Sequence, residues 1–238
     1  MFVEKSRIAA GAGRFVVAAL AILLSPALAD AAQIVIDEPG MNAIFSQASF
    51  GDTTISIRFN PPRQIVAPEL LVIDNLAELQ ALFNLAPDPA PTVDAFFVDE
   101  LNACGAVEPQ VNGALAGCAQ LPGHVFVEDF NFAELSPATL MGHELGHNLN
   151  LQHDFFDFLN LMAPIFPPGP NVTEEQVATI LLSPLVQTDA KGQRFIQITP
   201  IAIVDAPEPS TLLLLIAALG ALLVKREGPY ARRSMHGK

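Results

Sequence analysis

Between residues 30 and 205 the chain alternates short apolar runs with polar, proline-rich joints. The runs 33–36, 54–59, 95–98, 125–128 and 195–198 are rich in β-branched or aromatic residues and predict strands. Leu76, Leu79, Leu82 and Phe83 recur at three- to four-residue spacing, which predicts a helix over Leu76–Phe83. The same period predicts a helix over 174–182. Ser136 can cap a helix and Pro137 suits its first turn, so 137–149 should be helical too. The proline-rich stretches 86–91 and 164–170 read as loops. No internal repeat is evident, and strands and helices alternate only loosely. The expectation is a single α+β domain over 30–205, α/β-like, with a mixed sheet.

The two ends follow a different pattern. Lys5, Arg7 and Arg14 precede or border the apolar run 15–24, and Ala27-Leu28-Ala29 follows it. Ten apolar residues are too few to cross ~30 Å of hydrocarbon, and small residues at this spacing suit a cleavage site. Residues 1–29 therefore read as a secretory signal peptide cut after Ala29. At the other end, Pro207-Glu208-Pro209 is followed by the apolar run 212–224 and then Lys225-Arg226. The run gives a helix of about 20 Å, short for a permanent span, with a basic stop like that at a cytoplasmic face. Residues 206–238 are thus expected to hold a short transmembrane helix and a basic tail. This arrangement resembles the PEP-CTERM sorting signal of Gram-negative bacteria. The resemblance implies export, contact with the membrane through the C-terminal helix before processing, and an exosortase-type enzyme as partner. The destination would be the cell envelope, the cell surface or the extracellular matrix.

Composition sharpens this picture. Apolar residues make up 51% of the 238 and charged residues 16%, which excludes a disordered chain. The net charge of −13 offers nothing to offset phosphate repulsion, so nucleic acid is excluded as a general partner. Between the ends the only basic residues are Arg58, Arg63, Lys191 and Arg194, so the middle is strongly acidic. Cys104 and Cys118 are the only cysteines, and in an exported chain they are expected to form a disulfide. A free buried thiol or a cysteine masking a metal are the alternatives.

The chemistry lies in His143-Glu144-Leu145-Gly146-His147-Asn148-Leu149-Asn150-Leu151-Gln152-His153. On a helix His143 and His147 project from one face, one turn apart, as two ligands of one metal must. Glu144 sits beside the first of them, near a metal-bound water rather than in the coordination shell. His153 can join them only if the chain turns, and three imidazoles would leave one position open, as in a catalytic zinc site.

This string resembles the metzincin signature, HExxHxxGxxH. Asn160-Leu161-Met162 resembles the Met-turn, and residues 113–119 with 125–128 resemble the last two strands before the active-site helix. Gln176, in a helix soon after, suits some bacterial members. The resemblance implies a zinc endopeptidase acting on a peptide or protein, with His143, His147 and His153 as ligands, Glu144 as general base and Met162 beneath the metal. It also places an extended substrate along the edge strand near 113–117 and a side-chain pocket at the apolar residues 163–166.

The family's glycine is replaced by Asn150, the residue that tolerates a left-handed conformation best after glycine. The fifth-ligand tyrosine of some branches is absent, since the only tyrosine is Tyr230. Calcium could be bound by acidic residues such as Asp99, Glu100, Asp154 and Asp157, but no loop has EF-hand spacing and a solvated surface explains them better. The rival reading is a non-proteolytic surface or matrix protein that keeps the zinc fold for binding. Retention of Glu144 argues against it.

Overall fold

The computed structural model describes residues 34–105 and 115–205. The signal peptide expected at 1–29 and the sorting signal expected at 206–238 lie outside those residues. In chain order the elements are α1 (Glu38–Ile44), β1 (Ile55–Phe59), β2 (Arg63–Val66), β3 (Val72–Ile73), α2 (Leu76–Phe83), β4 (Val93–Val98) and β5 (Glu100–Leu101). There follow β6 (Gly117–Ala119), β7 (Val125–Asp129), α3 (Phe130–Leu135), α4 (Pro137–Asn148), α5 (Glu174–Leu181), β8 (Gln187–Thr188) and β9 (Arg194–Val204).

The sheet is mostly parallel, in the order β1-β9-β4-β7-β6, with β2 and β8 also paired to β9. Only β6 and β8 run antiparallel to their neighbours. β4 lies at the centre and is buried at all six positions, as expected of a parallel strand covered on both faces. One face carries Ile57, Ala95, Phe97, Phe126 and Ile198 against Met41 of α1, Leu145 of α4 and Ile180 of α5. The other carries Phe96, Val98, Val127 and Ile203 against Leu79 and Leu82 of α2. This is the α+β, α/β-like domain with a mixed sheet that the pattern predicts.

Some expectations need correction. The run 33–36 predicts a strand, yet residues 34–37 form none. Asp37 instead caps α1, its carboxylate accepting from the Gly40 N–H at 2.9 Å, and Pro39 sits in the first turn. The last strand is longer than 195–198, because it continues through Pro200. That proline falls between the last β1 partner, Ile198, and the first β2 partner, Ile201, where the neighbouring strand is interrupted. Ser136 precedes α4, but its hydroxyl meets Thr139 and caps no backbone N–H. The transmembrane helix is also corrected. Among the described residues no helix is long and apolar enough to cross a membrane; the longest, α4, has 12 residues, or about 18 Å against ~30 Å of hydrocarbon.

One buried charge in the sheet makes stability depend on pH. Asp94 of β4 is fully buried; one carboxylate oxygen accepts from the Asp88 N–H at 3.1 Å and the other has no partner. Burial, above all, pushes its carboxyl from 3.8 up to about 6, with the Asp88 charge adding and the Asp88 N–H and Arg63 opposing. The folded state therefore binds this proton more tightly than the unfolded state. Its stabilising contribution is complete below about pH 4 and is lost as pH rises through about 6. Asp94→Asn should raise stability near pH 7 by roughly 1–2 kcal/mol and change it little near pH 4. Urea melts at the two pH values check this.

Candidate metal centre

α4 lies on the sheet with its first histidine buried and its second half-buried. His143 and His147 are four residues apart, so their rings project on one face, with centroids 4.8 Å apart. His153 reaches the same place because the chain reverses at the end of the helix. Leu149 ends α4, and Asn150 adopts φ 72, the one non-glycine residue with positive φ among those described. The Leu151 N–H then returns to the Gly146 carbonyl at 2.9 Å, closing the turn. His153 Nε2 comes to 3.1 Å from His147 Nε2. Candidate ligand atoms of His143, His147 and His153 all lie within 4.8 Å of one another.

The rings are held in a state that suits a metal. His143 Nδ1 is 2.7 Å from the Leu161 carbonyl and His147 Nδ1 is 2.9 Å from the Leu151 carbonyl. A carbonyl only accepts, so each Nδ1 carries the proton and each Nε2 keeps a bare lone pair. Burial, followed by repulsion from His147, pushes His143 down to about 3; the Leu161 carbonyl opposes the shift and His153 adds to it slightly. Burial likewise pushes His147 down to about 4 and lowers His153. All three imidazoles are therefore neutral at pH 7, the ligating form. The donor set fits a divalent transition ion, and among the described residues no other group of three or more such side chains comes together. Asp154 and Asp157 instead cap their own loop, accepting from the N–H groups of Phe156, Asp157 and Leu159.

The residues around the rings are packed tightly. Met162 is fully buried, and a Cβ on Gly146 would overlap its sulfur, so the thioether lies directly against α4. Asn160 holds the turn at Met162, accepting from the Met162 N–H at 2.8 Å and exchanging two amide bonds with Gln176 of α5. Asn148 donates to the carbonyls of Gln120 and Val125, tying the end of α4 to the β6–β7 hairpin. None of these partners of Asn148 could be read from spacing, since they lie 23 to 28 residues away.

Glu144 is buried, yet it lines a cavity of about 600 Å³ together with His143, His147 and His153. Gly117 of the edge strand β6 makes room for it, since a Cβ there would overlap the Glu144 carboxylate. Behind it lies Glu128 of β7, fully buried, with neither carboxylate oxygen partnered. Burial pushes Glu144 up to about 8, while burial and then the Glu144 charge push Glu128 well above the carboxylate range. Cys104 and Cys118 form a disulfide on the cavity wall, anchoring β6 beside Glu144. The remaining wall is apolar, including Leu121, Phe132, Leu140, Ala163, Ile165 and Phe166.

The turn at Asn150 makes a prediction about metal affinity. Asn150→Gly should leave it within a factor of about three of wild type, because glycine accepts the same backbone. Asn150→Val should weaken it by roughly tenfold or more, matching a handedness penalty of about 1–2 kcal/mol plus displacement of His153. Competitive titration with a metal indicator measures both. No family model, curated protein or solved structure matches the chain, so the site stands on its geometry alone.

Proposed function

We propose that this chain is an exported, metzincin-type zinc endopeptidase. One observation carries the reading: a cavity whose wall is mostly apolar brings a carboxylate and three neutral imidazoles together. A structural metal site has no need for a buried carboxylate beside its ligands, because burying an unpaired acid costs stability.

Zinc bound by His143, His147 and His153 would polarise the scissile carbonyl, ease proton loss from water and keep Glu144 ionised against its burial. Glu144 takes the proton of the attacking water as the oxygen bonds to the peptide carbon. It passes that proton to the leaving nitrogen as the C–N bond breaks. The peptide pairs along β6, the last strand of the sheet among the described residues, with a side chain in the apolar part of the cavity. Gly117 holds the space in which the carboxylate turns between water and leaving group. The Leu161 and Leu151 carbonyls fix the ring orientation of two ligands.

Export belongs to the same proposal. It rests on the signal-like residues 1–29 and on Pro207-Glu208-Pro209 with the tail that follows, which suit sorting by an exosortase-type enzyme to the envelope or beyond.

Glu144→Ala should keep about one zinc per chain and lose hydrolysis of casein by at least a thousandfold, since the residue moves protons and holds no metal. Metal analysis beside the assay separates the two effects, and loss of zinc would make Glu144 a ligand. Gly117→Ala should also retain zinc but lower kcat by roughly 10- to 100-fold, because the displaced carboxylate is misaligned.

A further inference from the structure

Glu128 is a buried acid that the proposed reaction leaves without a task. It lies on β7 directly opposite Gly117 of β6, and the two strands are antiparallel. Opposed residues of such a pair project from the same face of the sheet, with Cα atoms about 5 Å apart. That face is the one under α4, because Phe126, two residues before Glu128, packs in the same core layer as Met141 and Leu145. Val125 and Val127 turn the other way, towards Leu79 and Leu82.

Gly117 offers no side chain to stand beside Glu128, and the Glu144 carboxylate fills the gap instead. A Cβ on Gly117 would come within 2.6 Å of the Glu144 carboxylate carbon. Glu144 thus occupies the place of a cross-strand neighbour of Glu128, about 5 Å from its Cβ and within reach of its side chain. Neither oxygen of Glu128 has a hydrogen-bond partner among the described residues. The charge that acts on it is that of Glu144, which has the same sign. Two carboxylates in so small a buried space do not both stay ionised. Glu144 lines the cavity whereas Glu128 is fully enclosed, so the proton belongs on Glu128. A neutral carboxyl is a donor, and the acceptor in reach is Glu144. An apolar side chain would fill this position at less cost to the fold, and a local rule broken in this way marks a functional place.

We propose that Glu128 is a positioning residue for the hydrolysis: its protonated carboxyl donates to one oxygen of Glu144 and leaves the other aimed at the attacking water. The effect on rate rests on the proteolytic reading above, whereas the contact between the two carboxyls rests on the sheet register and the gap at Gly117. Glu128 itself touches neither substrate nor metal.

The test compares Glu128→Leu, which removes the donor, with Glu128→Gln, which keeps one, in the zinc-loaded full-length chain. Glu128→Leu should retain its zinc and lower kcat roughly tenfold or more, with KM changed by no more than a factor of about two. Glu128→Gln should recover kcat to within a factor of about three of wild type. Infrared spectra with isotope-labelled glutamate give a readout independent of cleavage. At neutral pH a protonated-carboxyl band is expected in the wild type, absent from Glu128→Gln and moved to higher frequency in Glu144→Ala, where the acceptor is gone. A leucine variant as fast as wild type or stripped of zinc, or a glutamine variant as slow as leucine, would overturn the proposal. So would a band missing from the wild type or unmoved in Glu144→Ala. A chain that cleaves nothing defeats the proteolytic reading instead, and the band still decides whether Glu128 donates to Glu144.

Discussion

A helix can present two imidazoles to one ion, but a third cannot come from the same face. The chain has to leave α4 and return within a few residues, and that is possible only through a left-handed residue at the helix end. Asn150 supplies it at φ 72, and the Leu151 N–H to Gly146 carbonyl bond locks the reversal. Much else hangs from this turn. The Leu151 carbonyl orients His147, His153 arrives beside it, and the following loop delivers Met162 beneath the helix and the Leu161 carbonyl to His143.

Electrostatics make the arrangement intelligible. Burial keeps the three imidazoles neutral and drives Glu144 and Glu128 toward their protonated forms. Such a site lacks positive charge, and a divalent cation is the species that its lone pairs and carboxyl complement. The supporting shell is correspondingly polar and mostly satisfied: the Asn160–Gln176 amide pair, the Asn148 bonds to the hairpin and the two backbone carbonyls on the rings. The exceptions are Asn148, whose Oδ1 has no partner, and Glu128. The unpartnered Glu128 carboxyl behind Glu144 is a neutral acid in an apolar wall, tolerable only while it holds its proton.

The sequence makes local periodicity legible and long-range register invisible. Residues 54–59 and 125–128 show as strands because β-branched and aromatic side chains suit covered strands. His143 and His147 show because helical spacing alone puts them on one face. His153 lies six residues after His147 and joins it only through the turn at Asn150, which helical spacing alone does not show. The first helix escapes notice because it has only seven residues with Pro39 and Gly40 in its first turn, and the cap from Asp37 shows only in the folded chain. The second half of β9 escapes because Pro200 interrupts the run, and only the gap between β1 and β2 makes it tolerable. Gly117, Glu128 and Asn160 fall in segments that the sequence singles out, but their roles at the site do not show, because those roles depend on contacts with Glu144 or Gln176 that only the folded sheet creates.

The proposed activity requires that the three imidazoles hold a metal needed for peptide-bond hydrolysis. The most direct measurement is the metal content of the purified protein, taken with cleavage of a protein substrate before and after chelation and after zinc is restored. About one ion per chain, loss of cleavage with the ion and recovery with zinc are expected. An ion-free chain that cleaves, or a zinc-loaded chain that cleaves nothing across a broad peptide library, would contradict it.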